Sequence, residues 1–365
     1  MDDIGWMARA MALATQGRGL TSPNPMVGAV VVRDGILVAK GFHERAGGLH
    51  AEAAALARAG ERARGATLYV NLEPCNHSGR TPPCVAAIVR AGIRRVVSAT
   101  RDPNPRVTGG GTAALVAAGV EVTLGVLEGP ARELNRVFFT AIEHQRPHVT
   151  MKWAMTLDGK IAAFDRASRW ITGPAARLES HRLRSWSDAI VTGIGTVLAD
   201  DPALTVRLER TWPREPYRVV VDSRARLPLH AAMLGTGTRP RILVAVGEDA
   251  PAPRVAALES AGITVLQCKS REGRVDVVDL CSRLHALDIT AVLLEAGSGL
   301  GGAFLEAGLV DRVAVFVAPM LLGGAVAPGP AGGAGLGLGD AVRLIDFTTR
   351  PLGDDWLIEA NVSRP

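Results

Sequence analysis

Two short stretches constrain this chain more than anything else in it: HAE at residues 50–52 and NLEPCNHSGRTPPC at residues 71–84. A zinc ion that activates water needs three protein ligands, an open fourth position and a nearby proton carrier. His50, Cys75 and Cys84 supply one imidazole and two thiolates, while Glu52 reaches the water without ligating the metal. For these to meet, the start of the helical run HAEAAALARAG must lie beside the end of the strand-like TLYVN (67–71). Each part also has a plain structural explanation, since an isolated H-x-E arises by chance and paired cysteines are commonly unrelated buried thiols. The combination, with Pro74 before Cys75 and a helical pattern after Glu52, favours the metal. His77 competes in Cys-x-His spacing, but choosing it would orphan Cys84, so His77 reads as a rim residue.

The order H-x-E…P-C is that of zinc-dependent nucleobase deaminases. Eight residues separate the cysteines here, where the general signature has two. The surplus, NHSGRTPP, forms a loop and gives the site a specialised rim.

A length of 365 residues favours two domains, each able to bury its own core. The longest uncharged run, Val313 to Gly339, holds eight glycines and three prolines, so it cannot form a lipid-spanning helix. The opening MDDIGW carries acids where a signal peptide needs basic residues, and four cysteines suit a reducing compartment, so a cytoplasmic location is expected. Cys268 and Cys281 sit in apolar contexts and read as inert. The net charge of +5 is spread without a Lys/Arg block, and aromatics make up only 4% of residues, which argues against a nucleic-acid surface and for small anionic substrates. The expected partners are therefore a small phosphorylated molecule and further copies of the chain, with no nucleic acid and no membrane.

Hydrophobic periodicity predicts a helix over 3–16 that Asp3 can cap, then strands at 27–32 and 36–41 joined by an Asp34-Gly35 hairpin. A helix from His50 to Gly60 and strand 67–71 follow. Pro74-Cys75 reads as a helix start whose dipole favours a thiolate, and Pro82-Pro83 as the start of a helix carrying Cys84. Strand 94–99, helix 112–118, strand 120–125 and helix 128–143 complete a three-layer, mostly parallel α/β half. The boundary falls at 144–149, dividing the chain into residues 1–146 and 147–365. Beyond it come strands at 149–155, 188–193, 217–223, 241–246, 263–268, 291–297 and 312–319, with helices at 174–186, 253–261 and 276–287. A closing pair near 342–348 and 356–362 ends this second α/β half, and PGPAGGAGLGLG (328–339) reads as a mobile loop.

In the second half, GSGLGG (297–302) follows a strand and precedes a helix-like AFLEAG, so a helix N-terminus there can hold a phosphate. The acid that a dinucleotide fingerprint wants about twenty residues on is absent, which argues against the standard Rossmann version. Glycines placed for tight strand-to-helix packing are the alternative.

These residues resemble the bifunctional deaminase–reductases of riboflavin biosynthesis over nearly the whole length. The first half carries the resemblance at PNPMVGAVVV (23–32), HAE, LEPCNHSGRTPPC (72–84) and RDPNPRVTGGG (101–111). The second carries it at LDGKIA (157–162), SRWITG (168–173), TVLADDPALTVR (196–207), VVDSRARLP (220–228) and LLEAGSGLGGAFL (293–305). The resemblance implies a cytidine-deaminase-like domain followed by a dihydrofolate-reductase-like domain. It implies zinc-dependent deamination of a diamino-ribosylamino-pyrimidinone phosphate, with Glu52 moving the proton to the leaving nitrogen. NADPH then reduces the ribosyl group to a ribityl chain.

By the same resemblance Asn24, His43, His77, Arg80, Asp102 and Asn104 hold the pyrimidine and its phosphate in the first half. NADPH falls near Ala154, Trp170, Thr196, Asp200, Ser223 and the run Gly297, Ser298, Gly299, Leu300, Gly301, Gly302 and Ala303. The second-half substrate falls near Lys152, Ser168, Thr172, Arg184, Leu204, Arg207 and Glu295. Arg184 and Arg207 suit a phosphate clamp, because guanidinium forks match phosphate oxygens. Arg184 on a solvated helix face, and Asp200-Asp201-Pro202 as a simple turn, are the structural alternatives. Arg224 and Arg226 are candidates to meet a 2′-phosphate. Two rival readings stay open: a deaminase of cytosine, guanine or tRNA adenosine with an accessory domain, and a second half that is only a nucleotide-binding regulatory module.

Overall fold

In the computed structural model the first helix, α1 (Asp3–Ala14), is capped by Asp2, whose carboxylate accepts from the Gly5 N–H at 2.9 Å. Asp3, the expected cap, is one residue inside the helix and bonds instead to Tyr69 Oη and the Arg95 guanidinium. The structure describes residues 1–76, 83–105, 107, 109–235 and 241–363. By its internal contacts the chain divides into Met1–Arg146 and Pro147–Pro365.

In the first unit, β1 (Gly28–Arg33) and β2 (Ile36–Phe42) form the expected hairpin. Both turn residues, Asp34 and Gly35, have positive φ, as a primed two-residue turn requires. Then come α2 (Ala51–Ala59), β3 (Thr67–Val70), α3 (Cys84–Arg90), β4 (Arg95–Ser98), α4 (Gly110–Ala117), β5 (Glu121–Leu124), α5 (Glu128–Leu134) and α6 (Arg136–His144). The described strands order as β2-β1-β3-β4-β5, antiparallel around β1 and parallel from β3 to β5. Strand alternation splits the apolar residues between two faces. Ala29, Val31, Leu68, Val70 and Val96 pack under α2 and α3, whereas Val30, Val32, Tyr69 and Val97 pack under α1. This puts helices on both sides of one sheet.

Two expectations for this unit change. The helix expected over 128–143 is two helices broken at Asn135, a buried residue whose side chain both accepts from the Met26 N–H (2.8 Å) and donates to the Met26 carbonyl (3.0 Å). No helix starts at Pro74-Cys75 among the described residues; the backbone there is irregular.

The second unit runs β6 (His148–Thr156), α7 (Pro174–Ser185), β7 (Ala189–Gly193), α8 (Ile194–Asp200), β8 (Tyr217–Val221), β9 (Ile242–Gly247), α9 (Ala252–Ser260) and β10 (Thr264–Cys268). It continues with β11 (Ser270–Arg271), β12 (Arg274–Val275), α10 (Val277–Ala286), β13 (Ala291–Leu294), α11 (Ser298–Glu306), β14 (Arg312–Ala318), β15 (Leu344–Leu352) and β16 (Asp355–Val362). The main sheet orders as β10-β9-β8-β7-β13-β6-β14-β16-β15 and is parallel as far as β14. Val149, Val191, Val219 and Leu294 face α10 and α11, while Ile190, Val220 and Val244 face α8 and α9. Helix α8 was not foreseen: TVLAD lies within it, and Asp201 ends it with φ 40°.

The glycine-rich run 328–339, expected to be a mobile loop, is anchored on α11. The Gly332 N–H donates to the Ser298 carbonyl at 2.8 Å, and Ser298 Oγ donates to the Gly329 carbonyl. Gly302 packs so closely on the Gly332 carbonyl that a Cβ would collide with it, so glycine there serves backbone-to-backbone contact. Among the described residues no helix is long and apolar enough to cross a membrane.

Candidate functional site

His50 is the N-cap residue of α2, and its ring projects into the space between β3 and α3. Its Nδ1 lies 3.2 Å from Cys84 Sγ and 3.6 Å from Cys75 Sγ. The three donor atoms lie within 4.8 Å of one another. A zinc tetrahedron with ordinary Zn–S and Zn–N bonds has an N-to-S edge of roughly 3.6 Å, so this donor set fits zinc. Cys84 opens α3, and its backbone N–H points at Cys75 Sγ, 3.5 Å away. A helix dipole does therefore favour a thiolate at Cys75, but the helix belongs to Cys84. The Cys84 thiol, with His50 and that N–H, holds Cys75 down to about 4, while the same contact and burial push Cys84 up. The hydrogen bond to Cys75 raises His50.

Glu52, in the first turn of α2, is 4% exposed, and burial pushes its carboxyl up toward the protonated form. A carboxyl poised to hold and release a proton beside the metal ligands is what a proton carrier needs. His43 is buried with its ring edge-on to His50, 5.7 Å between centroids. Its Nδ1–H donates to the Leu49 carbonyl at 2.9 Å, which leaves Nε2 to accept from Asn24 Nδ2 at 3.1 Å. Burial keeps this histidine low and neutral. Asn24 and His43 are thus brought together beside the ligand histidine. Asp102 is buried and accepts the Asn104 N–H at 2.8 Å, so these two share one turn. His77 and Arg80 lie outside the described residues.

Two supporting residues escaped the sequence reading. Glu73, 2% exposed, accepts backbone N–H groups from Gly109 (3.0 Å) and Thr112 (2.9 Å), and so ties the Asp102-bearing loop to the Cys75 strand end. Asn71 holds the segment before β1, accepting from Gly28 N–H and donating to the Met26 carbonyl. Both lie inside NLEPC, a signal that went to the cysteine alone.

In the second unit a cavity of about 670 Å³ opens along the C-terminal ends of β13, β7 and β8. Ligands of open parallel sheets bind at those ends. Thr196, Asp200, Ser223, Gly297, Ser298, Gly299, Leu300 and Ala303 line it, as does Ser168, whose hydroxyl donates to Asp200 at 2.7 Å. Gly301 and Gly302 do not line it; they are buried against the 330–332 backbone, the packing alternative raised for this motif. Ala154, half-buried on β6, and Trp170, exposed with the Arg177 guanidinium 4.6 Å over its ring, are not among the lining residues either.

Of the expected substrate residues, Lys152, Arg184 and Glu295 meet. Arg184 Nε and Nη2 bond both Glu295 oxygens at 2.6 and 3.0 Å, and Lys152 Nζ lies 3.5 Å from Oε2. Arg184 Nη1 donates to the Thr205 carbonyl at 3.1 Å. Its fork is engaged by the Glu295 carboxylate in this structure. Arg207 is exposed and its side chain makes no ion pair among the described residues. Leu204 is buried in the core beside β8, and Thr172 is buried with its carbonyl accepting from Arg177. His181, unforeseen, has its Nδ1 3.1 Å from the Thr205 carbonyl and 3.3 Å from the Arg207 N–H, and burial with the Arg184 and Arg207 charges lowers it to about 4.

Residues 147–358 match the family model described as the RibD C-terminal domain, and residues 1–100 match the cytidine and deoxycytidylate deaminase zinc-binding region. The riboflavin biosynthesis protein RibD of Actinobacillus pleuropneumoniae is 43% identical over 366 residues, covering 100% of this chain and 96% of the relative. That of Aquifex aeolicus is 45% identical over 330 residues, 90% of each chain. The solved Acinetobacter baumannii RibD superposes with a TM-score of 0.89 at 39% identity, covering 99% of both chains. A Thermotoga maritima diaminohydroxyphosphoribosylaminopyrimidine deaminase/5-amino-6-(5-phosphoribosylamino)uracil reductase gives 0.85 at 35% identity, again over 99% of both. With relatives aligned from end to end, this chain belongs to the RibD family of riboflavin biosynthesis, bifunctional enzymes that use zinc in a deaminase and NADPH in a reductase.

Proposed function

We propose that residues 1–146 carry the deamination and residues 147–365 the reduction, with the residue roles that follow. The first substrate is the diaminohydroxyphosphoribosylaminopyrimidine and the second is 5-amino-6-(5-phosphoribosylamino)uracil. The observation that carries the assignment is the meeting of His50, Cys75 and Cys84 around one point with buried Glu52 beside them.

Zinc held by those three residues supplies Lewis-acid activation of water. Glu52 would take a proton from the attacking water and deliver it to the departing amino nitrogen, so that ammonia leaves and a ring carbonyl remains. Asn24 and His43 face the ring, and Asp102 and Asn104 present the loop edge that holds it; His77 and Arg80 are further substrate-binding residues. In the second unit the residues lining the cavity would hold NADPH, which would supply the hydride. Arg184 keeps Glu295 ionised and aimed, Lys152 shares that carboxylate, and Arg207 grips the substrate phosphate.

The purified chain tests this in two assays. Ammonia release from the first substrate should stop when a chelator removes zinc and return with added zinc. NADPH oxidation should require the deaminated intermediate. Chelator-insensitive ammonia release would overturn the metal assignment, and no NADPH oxidation would overturn the reductase.

The chain is further proposed to act as a homo-oligomer in the cytoplasm. Support for assembly comes from β15, an edge strand exposed along nearly its whole length with Leu344, Ile345 and Phe347 uncovered, beside exposed Trp356 on β16. Such an edge is normally blunted or paired. Sedimentation of the purified chain as a monomer would sink this. Four free thiols suit a reducing compartment.

A further inference from the structure

We propose that His181 is a positioning residue of the reductase: it holds the backbone of residues 205–207 against α7 and so sets where Arg207 meets the substrate phosphate. This rests on the reading of Arg207 as the phosphate grip.

Residues 201–216 form neither helix nor strand, so their backbone polar groups have no ladder to satisfy them. The part that carries Arg207 begins at a sharp turn. Leu204 has φ 48°, in the left-handed region that a leucine seldom adopts, and its side chain is buried in the core beside β8. From that anchor the next three residues are each held by a side chain from another segment of the unit. The Thr205 carbonyl accepts from Arg184 Nη1 at 3.1 Å, and the Val206 N–H donates to Glu215 Oε2 at 3.2 Å. The Arg207 N–H lies 3.3 Å from His181 Nδ1, which is also 3.1 Å from the Thr205 carbonyl.

The imidazole thus bridges the peptide groups on either side of Val206. A neutral ring either donates from Nδ1 to the Thr205 carbonyl or accepts there from the Arg207 N–H. In both tautomers the same nitrogen ties α7 to the segment. Half-burial and the Arg184 and Arg207 charges keep the ring neutral.

The spacing on α7 gives this contact its consequence. His181 and Arg184 are three residues apart, so they share one face of the helix. Arg184 holds Glu295 and the Thr205 carbonyl from that face, and His181 holds the root of Arg207 from it. One helix face therefore orients two of the proposed substrate groups. The Arg207 side chain itself is exposed. A long exposed arginine loses rotamer freedom when it grips a ligand, and a fixed backbone at its root limits what else must be ordered.

Steady-state reduction of the purified deaminated intermediate by the full chain tests this. His181→Ala should raise the KM for the intermediate about three- to tenfold, the loss of one hydrogen bond, with kcat and the KM for NADPH unchanged. His181→Asn, whose amide places a polar atom near the position of Nδ1, should recover most of that loss. On an Arg207→Ala background, His181→Ala should add less than about twofold, because a residue that acts through Arg207 then has nothing to position. His181→Leu fills the space without a hydrogen-bonding group; it should give the same rise as alanine and serves in its place if the smaller side chain unfolds the unit. An unchanged KM for the intermediate, a matching rise in the KM for NADPH, a fall in kcat alone, or full additivity with Arg207→Ala would each overturn the positioning role. An unchanged KM in Arg207→Ala by itself would instead remove the phosphate grip on which the proposal rests.

Discussion

Arg184 and Glu295, 111 residues apart in sequence, lie fork to fork, with Nε–Oε1 at 2.6 Å and Nη2–Oε2 at 3.0 Å. Both side chains are nearly buried, and a buried carboxylate on its own would be raised strongly. Burial does push Glu295 up, but the Arg184 and Lys152 charges outweigh it and bring the group down to about 2. Breaking such a pair from one side strands the other charge. Arg184→Ala should cost about 3–5 kcal/mol of stability, read from urea unfolding followed by tryptophan fluorescence. The folded pKa is depressed, so the contribution is complete above the unfolded value near 4.5 and is lost as pH falls toward about 2. Glu295→Gln should flatten the pH dependence across that window. An unchanged urea midpoint for Arg184→Ala would show that the pair contributes nothing.

Cys84→Ser should lose zinc. The hydroxyl is a poor replacement for a thiolate, and Cys84 also brings the α3 N-terminus onto Cys75. Elemental analysis should fall well below one zinc per chain, and the first unit should unfold earlier on heating. Full zinc content would remove Cys84 from the ligand set and bring His77 forward.

Glu52→Gln should retain the metal and lose deamination. The amide fills the same buried space but cannot take up a proton, so a fall of about 10²–10⁴ in kcat is expected. NADPH oxidation with the deaminated intermediate should not change. Near-native ammonia release would end the proton-carrier role.

Arg207→Ala should act on the reductase alone. Arg184 is held by Glu295, whereas the Arg207 side chain is exposed, makes no ion pair among the described residues and is proposed to grip the substrate phosphate. A grip kept in ground and transition states is uniform binding, so the substrate KM should rise and kcat/KM fall about ten- to hundredfold. Loss of ammonia release with reduction intact would place Arg207 in the other site.

The convergence of His50, Cys75 and Cys84 was legible in the sequence because it follows from local order: a helix start, a strand end and a second helix start within one β-α run. The strand alternation that divides Val30 and Val32 from Ala29 and Val31 is equally local, since a period of two assigns faces without knowing the partner. The parallel order of the second half follows from its β-α alternation for the same reason.

What the tertiary structure decided are contacts whose partners lie far away or are chemically interchangeable. Asp2 and Asp3 are equal candidates for a cap until Arg95, on a distant strand, claims Asp3. The break at Asn135 depends on Met26, 109 residues away, whose backbone takes up the whole asparagine side chain. Arg184 carries the same charge whether it meets a phosphate or a carboxylate, and only folding brought Glu295 to its fork. The glycine-rich run looked free by composition, because glycine signals freedom when nothing is near and close backbone contact when something is. Here Ser298 and Gly302 of α11 are near, and the run is held.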